Sequence, residues 1–420
     1  MQSTVVSERW TSRSADLDAQ DFFDLPGASC FALLYGGGGR WIIYGDDPLL
    51  VLAEPDTDGL TFERTGDVPP IHPDLIGFIA YEYGYSLEPL LAAPTRRPFA
   101  FPDFHFCLHR RLRLFDRATH TLYEALRETP RSADEVPSLV RPGVFAAVKD
   151  WESDTPEAYQ GKVARIREEI ASGNVYQVNL SRQERWRFRG DITSFARHLY
   201  AANPAPFSAL VAGAEFTVIS SSPERFLRIS GGRIEAQPIK GTAPRGESVA
   251  EDERVAEELL SSPKNRAELA MITDLLRNDL TRVCRVPSVR VDAFATLETY
   301  ANVHHLVSTV SGETRADLSL TKLLQGVFPG GSITGCPKLA AMRLIRELEE
   351  VPRLVYTGAL GWFAHDMSQL DFNIPIRTVW ASDRELYLGV GGAVVWDSDP
   401  QEEYLETVHK GRSIVECLNS

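Results

Sequence analysis

The sequence predicts an α+β fold built on long antiparallel strands. Three observations lead there. The first 150 residues read as strands and turns, the remainder mixes helices and strands irregularly, and neither a βαβ rhythm nor an internal repeat is present. Phe31–Tyr35 and Arg40–Tyr44 flank the run Gly36–Gly39 and form a hairpin. No Gly-Lys-Ser/Thr follows that glycine run and no helix opens after it, so it is a turn and not a phosphate loop. A second hairpin joins Leu112–Phe115 to Thr121–Ala125, and the Pro-, Ser- and charge-containing stretch Glu128–Pro142 reads as a linker.

Helices dominate the texture beyond it. Thr155 caps a helix with Pro156 in its first position and an apolar stripe of Tyr159, Val163, Ile166 and Ile170; Gly173-Asn174 ends it before a strand at Val175–Leu180. Ser262-Pro263 opens another, with Leu269, Ile272, Leu275 and Leu276 on one face. Further helices run from about Pro337 to Leu348 and from about Glu402 to the C-terminus. Strands are expected at 216–220, 225–229, 356–363, 374–380 and 385–396.

Composition removes several function classes. The 420 residues are enough for two domains or one large body of intertwined halves. A hydrophobic share of 43% with 24% charged residues is globular and excludes a disordered or fibrous chain. Lys and Arg number 44 against 58 Asp and Glu, a net charge of −14, which argues against a nucleic-acid binder while allowing a locally positive site for a small anion. No apolar run is long enough to span a membrane, and Met1–Trp10 lacks the pattern of a signal peptide. The five cysteines show no CxxC spacing, so neither a disulfide framework nor a zinc site is expected, and a cytoplasmic location is.

The densest chemistry lies between Ser221 and Thr242, a strand–turn–strand about Gly231-Gly232. A three-residue loop would set Glu224 opposite Lys240 on one face, a two-residue turn would put them on opposite faces, and Pro238 leaves either register open. On one pocket wall they would be a general acid and a nucleophile; alone, a cross-strand ion pair is the plainer reading. Glu403 and Glu406 share a helical face with Lys410, and Glu268 lies on another helix. One carboxylate from each helix suits Mg²⁺, although an ordinary surface Glu406–Lys410 pair explains the same spacing. Pro329–Lys338 enters a helix through small residues whose amides can meet an anion. Gly389–Ala393 interrupts a strand, Arg377 is a cation within one, and the adjacent His304 and His305 point to opposite faces, so only one can face a site. Cys336 has no activating partner in the sequence.

In this order, SPERF (222–226), PIKGT (238–242), RNDL (277–280), VHHLVS (303–308), PGGSITGCPK (329–338), IRT (376–378) and EEYLET (402–407) resemble the chorismate-utilising enzymes. That group includes anthranilate synthase component I, aminodeoxychorismate synthase component I, and the isochorismate and salicylate synthases. The resemblance is strong over 154–417, a chorismate-binding catalytic domain. It is loose over 1–150, an anthranilate-synthase-like region intertwined with the catalytic body. It implies large antiparallel sheets packed as a sandwich with helices outside.

It also implies roles. Lys240 would attack the substrate ring, Glu224 would protonate the departing hydroxyl, and Glu268 and Glu406, with Glu403 in support, would hold Mg²⁺. His305, Ser332, Tyr356, Arg377, Gly391, Gly392, Lys410 and Gln177 would line the substrate. Gln177 stands where the water-using members carry a base, which favours ammonia as nucleophile. Lys240 stands where anthranilate synthases carry alanine, so the chain is more similar to the aminodeoxychorismate synthases. The implied reaction converts chorismate and ammonia into 4-amino-4-deoxychorismate, toward p-aminobenzoate and folate. The implied partner is a glutamine amidotransferase subunit, since no glutaminase signature is present. The alternatives are anthranilate synthase component I or a non-catalytic chorismate-binding homologue. Three departures stand out: Asn265 replaces a carboxylate, Ala393 replaces a glycine, and Asn203–Phe207 resembles part of a tryptophan site whose LLES partner is missing.

Overall fold

Side-chain alternation along the central strands determines the layers. In Phe207–Ala212, Ala209 and Val211 face a cluster containing Trp10, Tyr356 and Trp380, contributed largely by strands. Leu210, between them, faces Phe195 and Leu199 of the helix Ile192–Ala202 and Ile414 of the helix Pro400–Leu418. A period of two therefore gives each strand one face for the sheet-on-sheet core and one for the helices outside. In this computed structural model, which describes residues 4–23, 30–36, 38–91, 100–129, 144–299 and 303–419, twenty-one strands join one hydrogen-bonded network. Its pairings are antiparallel except that of Thr4–Ser14 with Leu60–Gly66. The helices Pro156–Ala171, Pro263–Thr281, Leu320–Val327 and Lys338–Leu348 cover a third cluster through Val163, Ile166, Ile272, Leu323 and Met342.

Strands from the two ends of the chain interleave. Phe31–Gly36 pairs with Trp41–Leu52 as the expected hairpin, and on its other edge with Phe207–Ala212. Leu75–Ile79 pairs with Ala359–Phe363. The hairpin of Phe104–Asp116 with Thr121–Glu128 forms where expected, while the linker stretch lies outside the described residues from 130 onward.

Local signals place the helix starts well. The Thr155 hydroxyl accepts from the Ala158 amide and the Ser262 hydroxyl from the Asn265 amide. The helices Ile192–Ala202 and Val249–Ser261 were not expected, although Asp191 and Ser248 cap them in the same way. The strand after the helix Pro156–Ala171 begins at Gln177, not Val175, and continues to Gly190. The strand expected at 374–380 is a correction: Gln369–Asn373 and Thr378–Ser382 are separate, and 374–377 runs between them. Pro375 has no amide to donate, and Arg377 sits at φ 50°. This segment instead bonds outward, from the Ile374 amide to Glu224 O and from the Thr357 amide to Pro375 O.

Of the two hairpin counts, the turn takes the two-residue one. Ser230 pairs with Arg233, so Gly231 and Gly232 form a two-residue turn with φ of 59° and 75°. The arms then separate. Arg225–Ser230 follows Gln369–Asn373, with a register shift between Arg225 and Leu227. The returning strand follows Val303–Glu313, with a second shift between Lys240 and Thr242 at Gly241. Glu224 and Lys240 thus sit on diverging strands, where counting from the turn no longer sets their faces.

Candidate active site

Those diverging strands open onto a cavity of about 520 Å³ whose walls hold both Glu224 and Lys240. Glu224 is fixed through its main chain: its amide donates to Ser222 Oγ, and its carbonyl accepts from Ile374. Its carboxylate oxygen Oε1 accepts from Ser332 Oγ at 2.9 Å. Burial raises this carboxyl to about 7, against the opposing effects of Ser332, Lys240 and Lys410. The proton is therefore retained near neutrality, as a general acid requires.

Lys240 is shifted the other way. Burial lowers its pKa, the cationic Lys410 lowers it further, and Glu268, Glu224 and Glu406 oppose the shift. The adjacent Gly241 has φ +76°, and a Cβ there would lie 3.0 Å from Leu259 Cδ1 and 3.1 Å from Asn265 Cγ. The glycine thus permits the bulge and lets this strand approach the helix Pro263–Thr281. His305 faces the cavity, its Nδ1 2.9 Å from Thr242 Oγ1, and burial lowers it to about 4, so it is neutral. His304 turns away toward Asp252, 2.8 Å from Nε2. The two rings part as strand alternation requires.

Two arginines on the wall differ sharply. Arg353 is saturated: it forks onto Glu349, donates to the carbonyls of Asn179 and Ile333, and stacks 4.5 Å from the Tyr81 ring centroid. Arg377 has no carboxylate partner among the described residues, and burial lowers its pKa. A half-buried guanidinium with no carboxylate beside it is a receptor for a carboxylate. Tyr356 packs beside the glycine strand, where a Cβ on Gly389 would approach its ring to 2.4 Å.

Across the cavity, the helix Pro400–Leu418 presents Glu403, Glu406 and Lys410. Lys410 Nζ binds Glu406 Oε1 at 2.6 Å and the Gly391 carbonyl at 3.1 Å. Burial raises Glu403. For Glu406 burial acts in the same direction, but Lys410 outweighs it and the net shift is downward. Among the described residues no three His, Cys, Asp or Glu side chains cluster tightly enough to hold a metal by themselves. The carboxylates nevertheless fit Mg²⁺, which takes one or two from the protein and further oxygens from water and an anionic ligand. Glu403 Oε2 is buried without a hydrogen-bond partner, and it and Glu406 Oε1 lie 3.1 and 3.4 Å from where a Cβ of Gly392 would stand. Glu268 borders the same cavity from the other helix.

Eleven of the thirteen residues singled out in the sequence border this cavity. Gly392 lies beneath the carboxylates. Gln177 is fully buried where its strand pairs with Cys336, and its side-chain amide makes no hydrogen bond among the described residues. Sequence reading missed Asn179, Thr242, Lys264 and Arg353 as cavity residues. For Thr242 the signal was present, since it lies two residues beyond Lys240. Arg353 has none, because the carbonyls that hold it in the cavity wall, Asn179 and Ile333, are 174 and 20 residues away.

The model of the chorismate binding enzyme family matches residues 50–416. Aminodeoxychorismate synthase component 1 of Bacillus subtilis is 32% identical, over 91% of this chain and 90% of its own length. Its Salmonella typhimurium namesake is 35% identical, over 89% and 83%. Anthranilate synthase component 1 of Aquifex aeolicus is 40% identical over a shorter span, 64% of this chain and 55% of that one. Among solved structures, anthranilate synthase component I from Streptococcus pneumoniae superposes with a TM-score of 0.72 at 25% identity, covering 97% of this chain and 92% of that one. The menaquinone-specific isochorismate synthase of Escherichia coli shares the fold, with a TM-score of 0.77 at 17% identity and coverage of 98% and 94%.

Proposed function

The chain belongs to the chorismate binding enzyme family, and from that membership we propose that it is an aminodeoxychorismate synthase component I. It aminates chorismate at C4 with ammonia supplied by a separate glutamine amidotransferase subunit, and its product leads toward p-aminobenzoate and folate. One observation carries the choice of reaction: a lysine with a lowered pKa and a carboxyl held protonated near neutrality share the walls of one anion-receptive cavity.

The neutral Lys240 amine adds to ring C2. The electron pairs of the two conjugated ring double bonds shift toward C4, and the C4 hydroxyl leaves as water with the proton from Glu224. Ammonia then adds at C4, the double bonds return, and the Lys240 amine departs. The sum is chorismate plus ammonia giving aminodeoxychorismate plus water. Arg377 and the Gly391–Gly392 backbone hold one carboxylate, while His305 and Ser332 face the ring, with Tyr356 and Lys410 at its margin and Gln177 beneath. Mg²⁺ on Glu268 and Glu406, supported by Glu403, would neutralise the other carboxylate when bound.

The assay is direct. With chorismate, Mg²⁺ and ammonium salt, p-aminobenzoate is expected only after an aminodeoxychorismate lyase is added. Anthranilate formed without lyase would identify the other synthase, and unchanged chorismate a binding protein. A second expectation concerns the metal. Gly392→Ala places a methyl group against Glu403 and Glu406, so Mg²⁺ affinity, read by calorimetry and by the Mg²⁺ dependence of rate, should fall roughly tenfold.

A further inference from the structure

The loop that carries Ser332 is held by three consecutive carbonyls. The Asn179 side chain donates to Ser332 O at 2.6 Å, Arg353 donates to Ile333 O at 2.9 Å, and the Asn179 amide donates to Thr334 O at 2.9 Å. Arg353 in turn binds the Asn179 carbonyl at 2.7 Å, which closes the ring of contacts. Of the three bonds, the one from the Asn179 side chain acts on the residue whose hydroxyl reaches Glu224. A short 3₁₀ turn, Gly331–Ile333, has little internal hydrogen bonding to fix that hydroxyl by itself.

We infer that Asn179 is a positioning residue that, through the main chain of Ser332, holds the Ser332 hydroxyl against the Glu224 carboxyl. The inference rests on the reading of Glu224 as the acid that protonates the leaving hydroxyl. A donor held there favours the ionised carboxylate and so keeps the acid from becoming too weak to give up its proton. The titratable groups that act on Glu224 beside it are Lys240, on the returning strand, and Lys410, on the C-terminal helix. Both remain in place when Asn179 is changed.

The test is a double-mutant cycle read by infrared titration of the carboxylic-acid stretch that Glu224→Gln abolishes. Asn179→Ala should raise the pH at which Glu224 loses its proton by about one unit, and Ser332→Ala should do the same. The double variant should shift it no further, because both changes remove one interaction. A general loss of structure would expose the carboxyl and lower its titration instead of raising it, and the Asn179 main-chain bond to Thr334 does not depend on either side chain. An unshifted titration in Asn179→Ala, or additive shifts, would overturn the inference. Full amination by Glu224→Gln would remove the acid reading alone, with the infrared cycle still deciding the positioning role.

Discussion

Lys240→Ala is expected to lower the rate of chorismate amination by about three orders of magnitude or more. The measurement is the lyase-coupled formation of p-aminobenzoate with ammonium as nitrogen source, which bypasses any partner subunit. The size of the effect follows from the chemistry. In the proposed route, without an amine at C2 the C4 hydroxyl would have to leave with no electron pair entering the ring diene at that carbon. Among the cavity lysines, Lys240 is the one whose pKa is resolved as lowered. Lys410 is engaged with Glu406 and the Gly391 carbonyl, whereas burial and Lys410 together favour the neutral form of Lys240. Lys240→Arg should fail nearly as completely, because a guanidinium keeps its charge and cannot attack. Lys240→Met separates nucleophilicity from packing, since it fills the space of the stem without an amine. If Met or Ala at 240 leaves the rate unchanged, ammonia attacks directly and the covalent route is wrong.

Both chemical groups in that argument were legible in the sequence, but their juxtaposition was not. Helix caps such as Thr155 and Ser262 are local, so a few residues suffice to read them. The relation of Glu224 to Lys240 is not local. The two-residue turn at Gly231-Gly232, extended by strand alternation, would have parted them. The register shift after Arg225 and the bulge at Gly241 belong to pairings with strands some 65 to 150 residues away in the chain. The strand placement of Arg377 failed for the same reason: a strand-like string was broken at Pro375, where the Ile374 amide bonds to the Glu224 carbonyl and the Pro375 carbonyl accepts from Thr357. Arg353 shows the limit most clearly. It stands in a Pro-Arg-Leu string with no periodicity, and its importance lies in carbonyls at 179 and 333. The layered fold was easier to read, because alternation in strands such as Phe207–Ala212 is a property of the strand itself.

Glu224→Gln should separate catalysis from stability. Glutamine keeps an acceptor for Ser332 but has no proton to give, so amination should fall by about 10²- to 10⁴-fold, the usual range for a general acid. In the parent enzyme the acid must be protonated, so activity should decline as pH rises through about 7. That decline should vanish in the variant, which has no carboxyl to ionise. Stability should move the opposite way. The folded carboxyl is raised from 4.5 to about 7, so its contribution is complete below pH 4.5 and is lost as pH rises through 7. A shift of that size corresponds to roughly 3 kcal/mol at pH 8. Glu224→Gln has no such loss, so its unfolding free energy in urea should gain on the parent by about that amount between pH 4.5 and pH 8. Parallel curves across that interval would mean that the carboxyl is not desolvated, and the acid role would lose its physical basis. A variant that is far less active yet more resistant to unfolding at pH 8 would show that the cavity keeps a destabilising proton site because the reaction needs it.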